Sequence, residues 1–228
     1  MGQKYTFTTE QILAFYLKKL KNFYERANIS CKDVVLSVPS YFSNVERQCI
    51  LDAADIADFK CLRTINESTA IALNYGFFRK KDLDPKNARI VAFVDFGHSK
   101  TTVTIASFVQ GKTKILCHHS DRNLGARDFD YLMMEVIGEE FHKKHGMDVV
   151  NNLRCKLRIL EGVEKARKII SSTTDALLNV DALMEDTDMN RKISRDEFEK
   201  MCNPLLMRFA QVLQETLTMS GKFSALTI

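Results

Sequence analysis

The sequence lacks any apolar run approaching the ~20 residues of a membrane-spanning helix. Its opening, Met1-Gly2-Gln3-Lys4-Tyr5-Thr6-Phe7, holds no apolar centre of a secretion signal. No membrane association is expected on these grounds. Met1-Gly2 with Thr6 superficially fits an N-myristoylation pattern, but so short a motif arises easily and reads as an ordinary chain start. The chain also lacks charge of one sign, because 33 Lys+Arg face 29 Asp+Glu for a formal charge of +4. No basic stripe is interleaved with aromatics, so nucleic acid is not expected as a partner. The run Arg79-Lys80-Lys81 reads as a solvated loop. Paired cysteines are missing as well. Cys31, Cys49, Cys61, Cys117, Cys155 and Cys202 form no C-x-x-C motif and read as reduced, mostly core thiols of a reducing compartment. Internal repeats and low-complexity tracts are absent.

What is present is the composition of a soluble globular protein: 228 residues, 45% hydrophobic and 27% charged. Disordered, collagen-like and coiled-coil classes are thereby excluded, and the length suits one large domain or two small lobes. Thr8-Thr9-Glu10-Gln11 has capping-box form, and a stripe from Leu13 to Ala27 predicts a helix over 9–27. Val34–Val38, stopped by Pro39, predicts a buried strand. Ser43-x-x-Glu46 opens a helix over 44–57, Leu62–Ile65 suggests a strand, and Glu67–Tyr75 a helix closed by Gly76. Residues 77–89 are the candidate linker, dividing a first unit (1–88) from a second (89–228). Ile90–Asp95, Thr101–Val109 and Thr113–His119 lie too close together for anything but an antiparallel meander. Helices are expected over 127–144 and over 150–171, the latter burying Leu153, Leu157, Leu160 and Ile170. A weak strand follows at Ala176–Leu183, and Ser194-x-x-Glu197 opens a helix running to about residue 216, with no strong pattern from Ser220 onward. The fold class is α/β.

Three segments could carry chemistry. Asp95-Phe96-Gly97-His98-Ser99, a carboxylate at a strand end before a glycine turn, can offer N–H groups to an anion and an acid to a metal, though such a turn is usually only a hairpin. Glu67, in Asn66-Glu67-Ser68-Thr69, can orient water near a phosphate. The plainer reading is that Asn66 caps the helix and Glu67 complements its dipole. Asp186, Asp188, Asn190, Ser194 and Glu197 have the spacing of a calcium-binding EF-hand loop, with Arg191 where Gly belongs. The plain reading there is a polar hairpin before a helix cap.

In order, these pieces resemble the nucleotide-binding domain of the seventy-kilodalton heat-shock chaperones, and more closely their divergent hundred-and-ten-kilodalton branch. The matching runs are Val38-Pro39-Ser40-Tyr41-Phe42 with Arg47, Asn66–Ala70 through Asn74-Tyr75-Gly76, and Val94–Ser99. Leu124–Asp130 and Glu164–Lys168 to Ser171-Ser172 complete them. The resemblance covers residues 5–217 and implies part of an actin-like, sugar-kinase-like ATPase fold: part of lobe one and most of lobe two. It implies ATP or ADP with Mg²⁺ as cofactor. Asp95 would hold the magnesium through water, with Gly97, His98 and Ser99 at the phosphates. Gly125 would sit in a phosphate-proximal loop opening the next helix. Glu67 would stand near the attacking water, and Glu164, Arg167, Lys168 and Ser171 would clasp adenosine. Pro39 and Arg47 would report nucleotide state to the substrate domain.

The departures bear on activity. Only Gly97 survives of three glycines usual in the family, followed by His98 and Ser99. Lys100 stands for Thr, Thr102 for Asp and Ala126 for Gly. The Gly-His-Ser version is that of the larger branch, which binds ATP, hydrolyses it poorly, and serves as nucleotide-exchange factor for the smaller chaperones and as holdase. The first phosphate loop, lobe-one lysine and second adenosine turn are not in the sequence, so the chain is expected to be a fragment: weak in nucleotide binding and at most a weak ATPase. Expected partners are the seventy-kilodalton chaperones, with unfolded polypeptides for the full-length relative. Cytoplasm, and also nucleus, is the expected compartment. A non-catalytic partner-binding module and the calcium loop at 186–197 are the alternatives.

Overall fold

The computed structural model describes residues 4–29 and 32–221. Cys31, Gly2 of the superficial myristoylation pattern and the tail 222–228 lie outside the described residues. The chain divides into two compact units, Met1–Val91 with Ala106–Leu116, and Ala92–Ile105 with Cys117–Ile228. The boundary crosses the three-stranded meander.

Unit one begins with α1 (Thr9–Arg26), whose capping box forms as expected: Gln11 N–H donates to Thr8 Oγ1 while Thr8 N–H donates to Gln11 Oε1. β1 (Asp33–Val38), α2 (Asn44–Ile56) and β2 (Lys60–Asn66) follow, and β1 pairs in parallel with β2 across a bulge at Val34/Val35. Ala14 and Leu17 of α1 pack with Ala53, Ala54, Ala57 and Phe59, so α1 and α2 share a core built from small side chains. α3 (Glu67–Phe78) differs from expectation, because Gly76 does not end it. A Cβ at Gly76 would lie 2.8 Å from Thr113 Oγ1 and 3.4 Å from the Phe108 ring, so the glycine serves close packing rather than termination. Residues 77–89 are also not a plain linker, since Phe77 and Phe78 extend α3 and Lys80–Asp82 form a 3₁₀ turn.

β3 (Arg89–Phe96), β4 (Thr101–Val109) and β5 (Lys112–Asp121) form the expected meander in that spatial order. Unit two continues with α4 (Ala126–His145), α5 (Leu153–Ile170), an antiparallel hairpin of β6 (Asp175–Met184) and β7 (Thr187–Ser194), and α6 (Arg195–Ser220). The helix predicted to stop near 216 runs on to Ser220, where Gly221 at φ +60 ends it. The buried face of α5 also differs. Cys155, Ile159, Val163, Ala166 and Ile170 line it, whereas Leu153 and Leu157 are 70% and 58% exposed. Asn152 starts this helix by accepting the Cys155 N–H, and of the four residues expected inside, Ile170 is buried and Leu160 packs against the core while Leu153 and Leu157 point away. Met133, Met134, Ile159, Val163, Leu178 and Ile193 sit at the centre of the unit's core.

The EF-hand alternative is overturned. Thr187–Ser194 is a strand paired with Asp175–Met184, not a loop entered from a helix. Side chains alternate along a strand, so Asp188 and Asn190 share one face, whereas Arg191, which holds Glu197, is on the other with Met189 and Ile193. Arg191 instead pairs with both Glu140 and Glu197. Among the described residues no helix is long and apolar enough to cross a membrane, and no group of three or more His, Cys, Asp or Glu side chains could hold a metal.

Candidate functional site

In unit two, Asp95 is the penultimate residue of β3 and half-buried. The turn after it is closed by Gly97 N–H donating to the Lys100 carbonyl at 2.8 Å. Phe96 anchors it from below, edge-on to Phe129 at 5.8 Å and to Phe209 at 5.4 Å. The turn docks on the start of α4, where Ala126 N–H donates to Gly97 O and Arg127 N–H to His98 O. Thr101 Oγ1 adds a 2.7 Å bond to Leu124 O. This approach is so close that a Cβ on Gly125 would sit 2.4 Å from His98 O and 2.5 Å from Ser99 N. Gly125 N–H donates to Asp128 Oδ2 and Asp128 N–H to Gly125 O. The first N–H groups of α4 therefore serve the turn and the helix's own cap. Gly125 acts here by letting the turn in, and the anion donors expected at this helix start are already engaged.

On α5, Glu164 pairs with Lys168 at 2.7 Å, and this bond chiefly holds its carboxyl below the ordinary range, with smaller contributions from Arg167 and His98. The turn and α5 are both tied to the first turns of α4, the turn at Ala126 and Arg127 and α5 through Arg167 at Asp130. Arg167 does not pair with Glu164; both its Nε and its Nη2 donate to Asp130 of α4, at 2.6 and 3.1 Å. Ser171 Oγ donates to Lys168 O at 2.6 Å. Arg167, Lys168 and Ser171 line one side of a cleft of about 290 Å³, with Arg195, Phe198 and Glu199 of α6 on the other. Arg195 is locked, donating to the carbonyls of Ile170 and Thr173. The cleft thus carries two fixed guanidiniums and an aromatic ring, a lining suited to a planar, electron-rich base. Glu164 stands outside that lining.

Asp130, Arg195, Phe198 and Glu199 were missed from sequence. An acid on the inward face of α4, 7% exposed, was the available signal, because buried carboxylates demand a partner.

Glu67, Pro39 and Arg47 belong to unit one. Glu67 opens α3 and is half-buried. Asn66 is the N-cap residue but makes no side-chain cap bond, contrary to the plain reading. Its Oδ1 accepts from Arg47 Nη2 at 2.8 Å. Arg47 also donates through Nε to Phe42 O, while Phe42 N–H donates to Pro39 O and closes the turn after the proline. Ser40 Oγ, inside that turn, is a buried oxygen with no hydrogen-bond partner among the described residues. Arg47 therefore ties the Pro39–Phe42 turn to the residue preceding Glu67.

The sequence profile of the Hsp70 protein family matches residues 1–224. The chain belongs to the Hsp70 family. It is 40% identical over 221 residues to the 97 kDa heat shock protein of Strongylocentrotus purpuratus, covering 95% of this chain and 25% of that protein. It is 38% identical to heat shock 70 kDa protein 14 of Arabidopsis thaliana, over 97% of the chain and 27% of the relative. With a heat shock protein homolog of Lachancea kluyveri it shares 36% identity, over 96% of the chain and 32% of the relative. The chain thus spans between a quarter and a third of the length of these relatives. Its mixed α/β architecture is that of a partial Hsp70 ATPase domain, and the large divergent branch expected from the Gly-His-Ser turn is represented among its relatives.

Proposed function

We propose that unit two binds an adenine nucleotide, with the base in the cleft of Arg167, Lys168, Ser171, Arg195 and Phe198 and the phosphates toward the Asp95–Ser99 turn. The observation that carries this reading is the cleft itself. Its lining of fixed cations and an aromatic ring fits a purine nucleotide, and α4 holds both the turn, at Ala126 and Arg127, and the cleft's Arg167, at Asp130. Asp95 would hold magnesium through water, since Mg²⁺ is usually bound by one or two carboxylates and the substrate's phosphates rather than by a protein cage. Bound nucleotide would supply the charge whose loss or exchange shifts the conformation of the longer protein. The chain's residues bind and orient: Asp130 keeps Arg167 in plane, Gly125 seats the turn, and Arg47 links the Pro39 turn to Asn66 beside Glu67.

For the longer protein we propose a chaperone that releases ADP from seventy-kilodalton partners and holds unfolded chains, with little hydrolysis of its own. The family and the large relatives support this. The cytoplasm, and with it the nucleus, is the proposed compartment, supported by free thiols at Cys49, Cys61, Cys117, Cys155 and Cys202.

Calorimetry with Mg-ATP and Mg-ADP, using Asp95→Ala as control, tests the binding. Micromolar affinity lost in the variant is expected. Absence of binding removes the nucleotide reading and leaves partner binding, which is measured separately as release of fluorescent ADP from a seventy-kilodalton chaperone.

A further inference from the structure

One surface of unit one plays no part in that reading. α3 is held from behind, with Tyr75 packed on Phe108 (centroids 4.9 Å apart) and Gly76 pressed against Thr113. The next two residues are left facing solvent. Phe77 and Phe78 are 76% and 75% exposed, and their rings meet edge to face at 5.4 Å. The chain that follows is built, not loose. Leu83 is buried, the Asp84 carboxylate accepts from Lys86 N–H, Asn87 N–H and Asn87 Nδ2, and Asp84 O accepts from Gln110 N–H. Arg89 Nη2 donates to Asp82 O, and Arg79 pairs with the Asp82 carboxylate. Both acids of the segment are thus engaged locally, whereas Lys80, Lys81 and Lys86 are exposed and form no ion pair among the described residues.

We propose that Phe77 and Phe78, rimmed by Lys80, Lys81 and Lys86, form a docking surface for an acidic polypeptide segment that carries apolar side chains. Two aromatic rings on a fixed helix offer large contact area at little entropic cost, the property of interface anchors. Lysine is depleted at interface centres and suits a rim, where it selects and steers a partner of opposite charge. The unneutralised charge therefore names the partner's sign, and the paired rings name its apolar content. Single-stranded nucleic acid fits less well, because stacking sites line a basic groove that follows the backbone, and here the two rings close on each other beside one short basic run. The surface stands whether or not unit two binds nucleotide.

The probe is a short fluorescein-labelled peptide of Glu and Asp alternating with Leu and Phe, titrated with the full chain and followed by anisotropy. Its counterpart with Gln and Asn, a single-stranded oligonucleotide and phosphatidylserine vesicles are the comparison ligands. Micromolar binding of the acidic peptide is expected, weakening with added salt. It should fall about tenfold or more in Lys80→Glu/Lys81→Glu and in Phe77→Ser/Phe78→Ser. Neither pair of changes disturbs buried packing, so melting temperatures should match the parent. Equal binding of the amide peptide, binding unchanged in both variants, preference for the oligonucleotide or vesicles, or no peptide binding at all would each overturn the proposal.

Discussion

Asp130 reaches across 37 positions of sequence to hold Arg167 with both carboxylate oxygens, and through that one pairing α4 determines where a cation stands in the cleft beside α5. The bidentate geometry matters more than the charge alone, because a planar guanidinium gripped at two nitrogens cannot swing.

Asp130→Asn is therefore expected to destabilise the protein by about 2–3 kcal/mol, toward the lower end for a broken buried pair because Arg167 keeps some contact with solvent. Urea unfolding measures this. A second variant, Asp130→Leu with Arg167→Met, should recover most of the stability while nucleotide affinity stays low. Stability unchanged in the single variant would show that the pair contributes nothing.

Gly125→Ala should cost about 1–3 kcal/mol, since the new methyl meets backbone atoms of His98 and Ser99 that cannot rotate aside. Gly146→Ala is the comparison, with open space around it and only a left-handed backbone, φ +76, to strain. The expected order is a larger loss at Gly125, read from urea midpoints, together with weakened nucleotide binding at that position alone. Equal losses would mean that the turn yields.

Much of this was legible from sequence where the signal is local. The boxes at Thr8 and Ser43 form because each pair satisfies the other within one turn. At Ser194 only half of the pattern appears: its hydroxyl accepts the Glu197 N–H, while the Glu197 carboxylate turns to Arg191. Asn66 was likewise drawn from capping to Arg47. Long-range partners decided both, and sequence spacing does not show them. The β7 strand was obscured by the same arginine. Met189 and Ile193 are buried, and Arg191 between them on that face hides the period of two until Glu140 and Glu197 are seen to neutralise it. The motifs of unit two marked Arg167, Lys168 and Ser171, but the opposite wall of the cleft comes from the start of α6, which the sequence marked only as a helix cap and a calcium-type loop.

Asn66→Ala removes the acceptor of Arg47 without removing a cap bond, because none exists at that residue. The expected cost is about 0.5–1.5 kcal/mol, the net worth of one partly buried bond. Asn66→Asp should retain or strengthen the contact by offering a carboxylate to the guanidinium. A loss in Asn66→Ala that Arg47→Ala does not share would assign the effect to the start of the helix instead of the pair.

Cys202 gives a dependence on pH whose direction follows from burial. The side chain is fully buried on α6, and burial pushes its thiol up to about 12. An unfolded chain loses that proton near pH ~8.5, whereas the folded chain keeps it. Below about pH 8 both states are protonated and the group adds no slope. Between there and about pH 12 the folded state binds the extra proton, so stability falls as pH rises, by about 1.4 kcal/mol per unit. Cys202→Ala leaves a cavity that lowers stability below about pH 8, and it removes this slope. The gap between parent and variant should therefore narrow from about pH 8 to about pH 10 in urea midpoints. Parallel curves would show that Cys202 titrates alike in both states. The same burial predicts that Cys202 stays unreactive toward a thiol reagent in the folded protein at about pH 8 and reacts on denaturation.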